Sequence, residues 1–157
     1  MRAIVQRVSE GGVNIPSENY FAKIGKGMVI LLGIKSDDKE NDLNFVADKC
    51  SHLRIFSRRD ASAEDENDKL NLSIKDIDGE VLIISQFTLY GDARKGNRPS
   101  FTEAAKPETA IPLYEKFISR MKMNLGEEKV KSGIFGAMMN VKIINDGPVT
   151  IIIESKS

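Results

Sequence analysis

The apolar residues of this chain come in short runs separated by turn-forming residues, and this pattern restricts the fold more than any other feature. Among the longest runs are residues 28–34 and 81–84, which have the length and the Val and Ile content of buried β-strands. A membrane-spanning helix needs roughly 20 apolar residues, and residues 1–8 turn polar too early for a secretory signal. We therefore predict a β-rich, cytoplasmic protein without membrane contact.

Composition narrows the possible functions. The 157 residues suffice for one compact domain, and no linker or repeat divides them, so residues 1–157 are predicted to form a single domain. The 23 basic residues balance 23 acidic ones, which excludes a uniformly basic nucleic-acid coat. Cys50 is the only cysteine and His52 the only histidine. An internal disulfide and a Cys₂His₂ or His₃ metal site are therefore impossible within one chain.

The most polar window of the chain is the acidic segment 58–68. It has no apolar period, and it lacks the central glycine and terminal glutamate of an EF-hand calcium loop. We therefore interpret it as a solvated loop, and we expect neither a metal ion nor a cofactor.

Periodicity predicts two helices among the strands. In the first, Asp37 is the predicted N-cap, and an apolar stripe runs along the helix to Leu53. This stripe includes Cys50, which is predicted to be buried, and leaves His52 at the surface.

The second predicted helix spans residues 109–125, with Thr109 as its N-cap and Pro112 in its first turn. Strands are predicted at residues 3–8, 13–15, 20–24, 28–34, 54–56, 80–90, 138–144 and 149–153. This order of elements is typical of a single α+β domain.

Two segments are unusual for a scaffold, and the first is the end of the predicted strand 80–90. Ser85 and Phe87 lie on one face of that strand, and Gln86 and Thr88 lie on the other. Both faces therefore change from aliphatic to polar at the same end, as expected where a buried strand opens into a pocket. Taken alone, a strand end that simply meets solvent is the simpler interpretation.

The second segment is 145–150, in which Gly147 precedes Pro148. Only an X–Pro bond has an appreciable cis population, and a preceding glycine removes a side-chain clash. Such a turn can hold two carbonyl groups in an orientation that other dipeptides reach only with strain. An ordinary hairpin turn is the simpler interpretation, and a bulge or a ligand contact is the alternative.

Together with their surroundings, these segments resemble the D-aminoacyl-tRNA deacylase family, and the resemblance extends over almost the whole chain. The matching fragments are residues 1–8, 31–34, 53–56, 85–89, 95–101, 133–139 and 145–150. Each fragment is weak alone, but their order along one chain is specific. The chain departs from the family pattern at residues 11–20 and in the acidic segment 58–68, which is longer than the family's short turn.

The resemblance implies a fold and a reaction. The fold is α+β, with antiparallel barrel-like β-sheets flanked by two main helices, and the protein works as a homodimer with active sites at the subunit interface. The reaction is hydrolysis of the ester between a D-amino acid and the 3′-terminal adenosine of tRNA, and glycine is removed from mischarged tRNA as well. The implied partner is tRNA, and no contact with DNA is expected.

The resemblance also assigns roles to residues. Gly147 and Pro148 correspond to a Gly-cis-Pro element that reaches into the partner subunit's site and excludes L-amino acids. The catalytic pocket is lined by Ser85, Gln86, Phe87 and Thr88. The implied substrate-binding residues are Phe135, Ala137, Met138, Met139 and Thr150.

The proposed chemistry is compatible with these residues because an aminoacyl ester is already activated. Two aimed donors can stabilise a developing oxyanion by roughly 3–4 kcal/mol each. The backbone N–H groups of Phe87 and Thr88 are the candidates, with the Gln86 amide assisting. Thr88 as a covalent nucleophile is the alternative, but no base for it is evident because His52 is predicted to lie on a helix. We favour a water nucleophile positioned by backbone groups and the 2′-hydroxyl of the tRNA.

One basic cluster lies beside the predicted strand end and consists of Arg94, Lys95 and Arg98. These residues are candidates for phosphate contacts at the acceptor end of the tRNA, and so few contacts predict a shallow salt dependence. A solvated loop with ordinary charged residues is the alternative.

Three other functions remain open. A non-catalytic RNA-binding module would need aromatic stacking platforms, but the chain has few aromatic residues and no Trp. A stand-alone relative of synthetase editing domains would lack the Gly147–Pro148 element. A small-molecule binding protein would be distinguished by an assay with D-tyrosyl-tRNA and D-tyrosine.

Overall fold

The computed structural model of the chain describes residues 1–61 and 69–156. The strands are β1 (Arg2–Ile15), β2 (Tyr20–Ile24), β3 (Gly27–Gly33), β4 (Glu80–Ser85), β5 (Val130–Ser132) and β6 (Asn140–Glu154). The α-helices are α1 (Glu40–His52), α2 (Arg58–Ala61) and α3 (Pro107–Leu125). Short 3₁₀ turns lie at Pro16–Glu18, Phe87–Tyr90 and Glu127–Lys129.

The strands form one six-stranded, barrel-like sheet in which β1 has three partners. Strand β1 pairs antiparallel with β3 through residues 2–8, with β2 through residues 11–15 and with β6 along most of its length. Strands β3, β4 and β5 run parallel to one another. The predicted α+β class with a barrel-like sheet and two main helices is confirmed, although the sheet is mixed and not purely antiparallel. Parallel pairing needs a crossover connection, and the segments that carry α1 and α3 supply it.

Two apolar cores lie on opposite faces of the sheet. Alternate residues of β4 separate between them, because Val81 and Ile83 face the helices while Leu82 and Ile84 face the barrel interior. Cys50 lies in the helix-side core, as predicted, and its burial raises the pKa of its thiol to about 12. His52 is exposed at the end of α1, as predicted.

Both predicted helix starts are wrong by a few residues. Helix α1 is capped at Lys39, whose N–H donates to the Asp42 carboxylate at 2.8 Å, and not at Asp37. Helix α3 begins at Pro107, where the missing N–H is harmless. Thr109 is therefore inside the first turn and not the N-cap, and Pro112 lies in the helix interior on an exposed face.

The predicted strand boundaries fail mainly where glycine was interpreted as a break. Strand β1 continues through Gly11 and Gly12 because the sheet is tightly packed there, and a Cβ on Gly11 would lie 2.9 Å from Val29. The predicted strands 138–144 and 149–153 form the single strand β6. The predicted strand 54–56 is reduced to one bridge between Phe56 and Leu72.

The acidic segment 58–68 differs from the predicted solvated loop at its start. Residues 58–61 form α2, and Asp60 is buried there. The remainder of that prediction falls on residues 62–68, which lie outside the described part of the chain. Within residues 1–61 and 69–156, no helix is both long and apolar enough to cross a membrane.

Tyr114 of α3 connects the helices to two neighbouring segments of the sheet. Its buried hydroxyl lies 3.1 Å from the Ile83 carbonyl of β4 and 2.9 Å from the Gly133 carbonyl that follows β5. The Gly133 N–H also donates to the Ile83 carbonyl at 2.9 Å. The ends of β4 and β5 are therefore held together from the helix side.

We expect Tyr114→Phe to lower the free energy of unfolding by about 1–2 kcal/mol, because the Gly133 carbonyl loses a buried hydroxyl donor, whereas the Ile83 carbonyl keeps the Gly133 N–H. Urea denaturation followed by circular dichroism would measure the change. Tyr20→Phe is the matched control, since its hydroxyl also donates to a main-chain carbonyl, that of Ser132 at 2.7 Å, but is only partly buried. A loss for Tyr114→Phe no larger than for the control would contradict the prediction.

Candidate active site

The end of β4 forms one wall of a cleft. The strand stops at Ser85, and residues Phe87–Tyr90 turn away as a single 3₁₀ turn. The predicted strand 80–90 is therefore too long, and the predicted alternation of faces does not extend beyond Ser85. The turn is fixed in place because the Gln86 N–H donates to the Leu32 carbonyl of β3 at 2.8 Å.

The turn begins at Phe87, which lines the cleft. The first N–H groups of a helical turn have no partner inside it. In the part of the chain that the structure describes, the N–H groups of Phe87 and Thr88 donate to no backbone carbonyl outside the turn. Phe87 is 52% exposed and packs edge-on against Phe101 with the ring centroids 5.1 Å apart.

The segment between β5 and β6 forms the opposite wall. It begins at Gly133, which is held to β4 by the hydrogen bonds of Ile83 and Tyr114, and it ends at Met139. The resulting cleft has a volume of about 460 Å³. It is lined by Ile84, Ser85, Gln86, Phe87, Phe135, Gly136, Ala137, Met138, Met139 and Val141.

The structure thus brings most of the predicted catalytic and substrate-binding residues to one place. Three of the predicted catalytic residues line the cleft together with four predicted substrate-binding residues. Thr88 lies one residue beyond this lining, and Thr150 lies elsewhere, on the exposed side of β6 opposite Gln6 of β1. Met138 is 86% exposed, so an apolar side chain is available at the rim.

The cleft contains no acid or base. None of its lining residues is ionisable. The Thr88 hydroxyl accepts a short hydrogen bond from the Gln86 amide, while His52 Nδ1 donates to the Asp48 carbonyl of its own helix at 2.8 Å. Among the described residues, no group of three or more His, Cys, Asp or Glu side chains is arranged to hold a metal ion. This arrangement provides hydrogen-bond donors and an apolar wall without a charged catalyst.

The basic loop next to the cleft is a small hairpin closed by Asp92 and Ser100, which exchange hydrogen bonds of 2.7 and 2.9 Å. The three predicted phosphate-binding residues line a shallow cleft of about 560 Å³ together with these two. The Arg94 guanidinium is already paired, because it donates two hydrogen bonds to the Asp92 carboxylate, at 2.9 and 2.6 Å. Fewer of its N–H groups are therefore left for a phosphate. This hydrogen-bonded pairing lowers the pKa of Asp92 to about 2.

Gly147 and Pro148 lie on strand β6, outside the lining of the cleft at the end of β4. The peptide bond between them is cis, the isomer that the resemblance implies, and Gly147 has a φ of 127°. The β1–β6 register shifts between Gln6 and Val8, so the two residues bulge from the ladder as an exposed main-chain corner. The fold of the single chain therefore does not bring this corner to its own cleft.

Arg7 was missed by sequence reasoning. It is buried, and its Nε donates to the Asp146 carbonyl at 3.0 Å while its Nη1 donates to the Ile55 carbonyl at 2.8 Å. A Cβ on Gly147 would lie 3.0 Å from its Nη2. A signal was present in the sequence, because an arginine at position 7 shares a strand face with the apolar residues Ala3 and Val5.

The chain is an α+β protein with a barrel-like sheet and an uncharged cleft at the end of β4. Comparison with known proteins identifies the family that has this fold. Residues 4–154 match the family described as D-Tyr-tRNA(Tyr) deacylase. A D-aminoacyl-tRNA deacylase from Flavobacterium psychrophilum is 52% identical over 157 residues, which cover 100% of this chain and 99% of that protein. The chain therefore belongs to the D-Tyr-tRNA(Tyr) deacylase family, as the resemblance predicted.

Two solved structures are similar over essentially the whole fold. A protein described as c-Myc DNA Unwinding Element Binding Protein has a TM-score of 0.87 and 38% sequence identity, with 100% of both chains covered. A probable eukaryotic D-amino acid tRNA deacylase has a TM-score of 0.85 and 19% identity, with 98% of both chains covered. At this level of identity, the second similarity supports the fold alone.

Proposed function

We propose that the cleft between the end of β4 and residues 135–139 is the site in which this chain hydrolyses D-aminoacyl-tRNA. Family membership makes the chain an enzyme, a D-aminoacyl-tRNA deacylase that cleaves the ester between amino acid and tRNA. The observation that carries the location is the pair of main-chain N–H groups, those of Phe87 and Thr88, at the mouth of an otherwise uncharged cleft.

Main-chain donors suffice for this reaction because the aminoacyl ester is already activated. When water adds to the ester carbonyl, the negative charge develops on the carbonyl oxygen. Preorganised N–H groups stabilise that charge by about 3–4 kcal/mol each when they point at it in a water-poor site. The 2′-hydroxyl of the terminal adenosine is the group that positions the water, because no side chain of the cleft can act as a base.

Thr88 is proposed to position the site and not to attack the ester. Its hydroxyl accepts a hydrogen bond from the Gln86 amide, which orients both side chains. A hydroxyl nucleophile needs an adjacent base, and the only histidine is engaged on α1. Ser85 is the last residue of β4, and its hydroxyl is proposed to form part of the same wall of the cleft as Gln86.

The opposite wall is proposed to bind the terminal adenosine. Phe135 offers a ring for base contact, and the exposed Met138 offers a polarisable thioether that adapts to a flat ligand. Ala137 and Met139 complete this apolar surface. Thr150 lies outside the cleft of its own protomer, so its proposed substrate contact would be made in a partner's site.

Rejection of L-amino acids is proposed to depend on a second subunit. Gly147 and Pro148 form an exposed corner away from their own cleft, so they can act only on the site of another protomer. Ile144 and Ile152 on the same strand are exposed apolar residues, which a homodimer interface would cover. Carbonyl groups fixed where an L side chain would lie exclude it by clash, whereas D-amino acids and glycine pass. Since aminoacyl-tRNA is the substrate, the proposed place of action is the cytoplasm.

Arg94, Lys95 and Arg98 are the proposed phosphate contacts for the acceptor end of the tRNA. Lys95 and Arg98 are exposed and form no ion pair with any described residue. Arg94 is already paired with Asp92, so we expect it to contribute least. The name of one structural relative raises DNA as a second ligand, but a net charge of zero and three clustered cations favour a short contact over binding along a duplex.

We expect Thr88→Ala to keep a substantial rate of D-tyrosyl-tRNA hydrolysis, reduced by about tenfold at most, because a single supporting hydrogen bond contributes about 1 kcal/mol. Single-turnover kinetics would measure it, with Thr88→Ser as the matched control that keeps the hydroxyl. Complete loss of turnover in Thr88→Ala, together with an acyl-enzyme trapped on the unmodified protein, would establish covalent catalysis instead.

We expect Gly147→Ala to reduce discrimination against L-tyrosyl-tRNA by about tenfold or more. The new Cβ would lie 3.0 Å from both Arg7 Nη2 and Val149 Cγ2, at a φ of 127°, so the corner must move. The ratio of D- to L-tyrosyl-tRNA hydrolysis rates measures this, and light scattering checks the oligomeric state. Gly96→Ala is the control, because its φ of 67° is also positive but nothing lies within 4 Å of its Cβ. Unchanged rejection of the L form would overturn the assignment.

We expect Lys95→Ala and Arg98→Ala each to weaken tRNA binding and to reduce the slope of log Kd against log salt concentration by about one unit. Fluorescence anisotropy with uncharged tRNA across a potassium chloride series would measure both quantities. Arg94→Ala should change the slope less, since its charge is balanced by Asp92. Equal effects of all three substitutions would contradict this ranking.

A further inference from the structure

The departure of this chain from the family pattern at residues 58–68 begins with a buried carboxylate. The Asp60 side chain is 2% exposed. One carboxylate oxygen accepts from the Ser57 N–H at 2.7 Å and from the Ser57 hydroxyl at 3.1 Å. The other lies 3.4 Å from the Lys26 ammonium. Burial alone would raise the pKa of Asp60, but the Ser57 donors and the neighbouring cations outweigh it and lower that pKa. Asp60 is therefore an ionised group inside the protein.

The charge of Asp60 faces Arg7. The closest approach, between Asp60 Oδ2 and Arg7 Nη1, is 4.0 Å, and the Arg7 side chain is 7% exposed. A second carboxylate, Asp146, lies 3.7 Å from Arg7 Nε and is 28% exposed. The Arg7 guanidinium thus lies between an inner carboxylate on α2 and an outer one on β6.

This balance determines where the guanidinium sits. A buried cation needs its counter-charge nearby, and removing one partner leaves the other uncompensated. With the Asp60 charge gone, the attraction of Asp146 would act alone and draw the guanidinium outward. Arg7 would then change both its hydrogen bond to the Asp146 carbonyl and its contact with Gly147. The main-chain corner would lose the support that fixes its position.

We propose that Asp60 is a positioning residue for the discrimination between D- and L-aminoacyl esters, acting through Arg7 on the Asp146 carbonyl and Gly147. This inference rests on the proposed function, because it assumes that the Gly147–Pro148 corner excludes L-amino acids. Asp60 touches no substrate. Its substitution is therefore expected to change selectivity more than the hydrolysis of the D ester.

The chain contains a matched control for the local turn. Asp76 accepts from the Ser73 N–H at 2.8 Å and from the Ser73 hydroxyl at 3.0 Å, which reproduces the contacts between Asp60 and Ser57. Asp76 is exposed, and no ion pair joins it to Arg7 within the described residues. Asp76→Asn thus removes the same kind of carboxylate without touching the corner.

The experiment compares the unmodified chain with Asp60→Asn, Asp60→Glu and Asp76→Asn, using D-tyrosyl-tRNA and L-tyrosyl-tRNA as separate substrates. In Asp60→Asn, hydrolysis of the L substrate relative to the D substrate should rise about tenfold or more, since displacements of about 1 Å in a positioned site change rates by up to 10²-fold. Asp60→Glu, which keeps the charge, should recover part of the discrimination. Asp76→Asn should retain the ratio of the unmodified protein.

An unchanged ratio in folded Asp60→Asn, or an equal change in Asp76→Asn, would overturn the inference. If Asp60→Asn fails to fold, Ser57→Ala replaces it. That variant removes one of the two Ser57 hydrogen bonds to the carboxylate and should shift the ratio in the same direction by a smaller factor. No shift in the folded Ser57→Ala and Asp60→Glu variants would then count against the proposal. An unmodified chain that fails to hydrolyse D-tyrosyl-tRNA would instead overturn the proposed function itself.

Discussion

Strand β1 is the element on which the rest of the structure depends, because three strands pair with it. Its first half binds β3, its second half binds β2, and β6 runs along its other edge. This sharing closes the sheet around the barrel core. It also places the only irregular stretch of the β1–β6 ladder beside Arg7, so that the exposed corner at Gly147 is anchored from β1. A single strand thus connects the packing of the core to the geometry of the corner.

In the candidate active site too, contacts from neighbouring elements hold main-chain groups in place. The donors at Phe87 and Thr88 are available because β4 stops at Ser85 and a short turn follows, and the turn cannot drift because Gln86 is hydrogen bonded to β3. Tyr114 holds the neighbouring wall from the helix side. None of the described residues that line the cleft is ionisable, and the single histidine lies at the surface end of α1.

Much of the candidate site could be predicted from the sequence. Arg7 and Asp60 were missed because their burial depends on contacts with residues that are distant in sequence. Segment 85–88 was identifiable because Ser85, Gln86 and Thr88 bring polar groups to the end of an aliphatic strand. Asp60 escaped because its neighbours in sequence are charged, and its burial depends on the Ser57 hydrogen bonds and on cations from distant strands, Lys26 and Arg7. Helix starts at 37 and 109 were misassigned because several nearby residues can cap a helix. At the start of α1, the N-terminal amine holds Asp38 at 2.5 Å and Lys156 lies 3.4 Å from Asp37, and neither carboxylate caps the helix.

The sequence by itself determined the α+β class, the burial of Cys50, the aliphatic run that becomes β4 and the family, since each is encoded in local periodicity or in fragments read in order. Only the tertiary structure decided that β3, β4 and β5 are parallel, that β1 continues through Gly11, and that Arg7 supports the corner at Gly147. These features depend on contacts between residues far apart in the chain. The free energy that stabilises these features comes from packing and charge balance between distant residues, which a local sequence pattern does not encode.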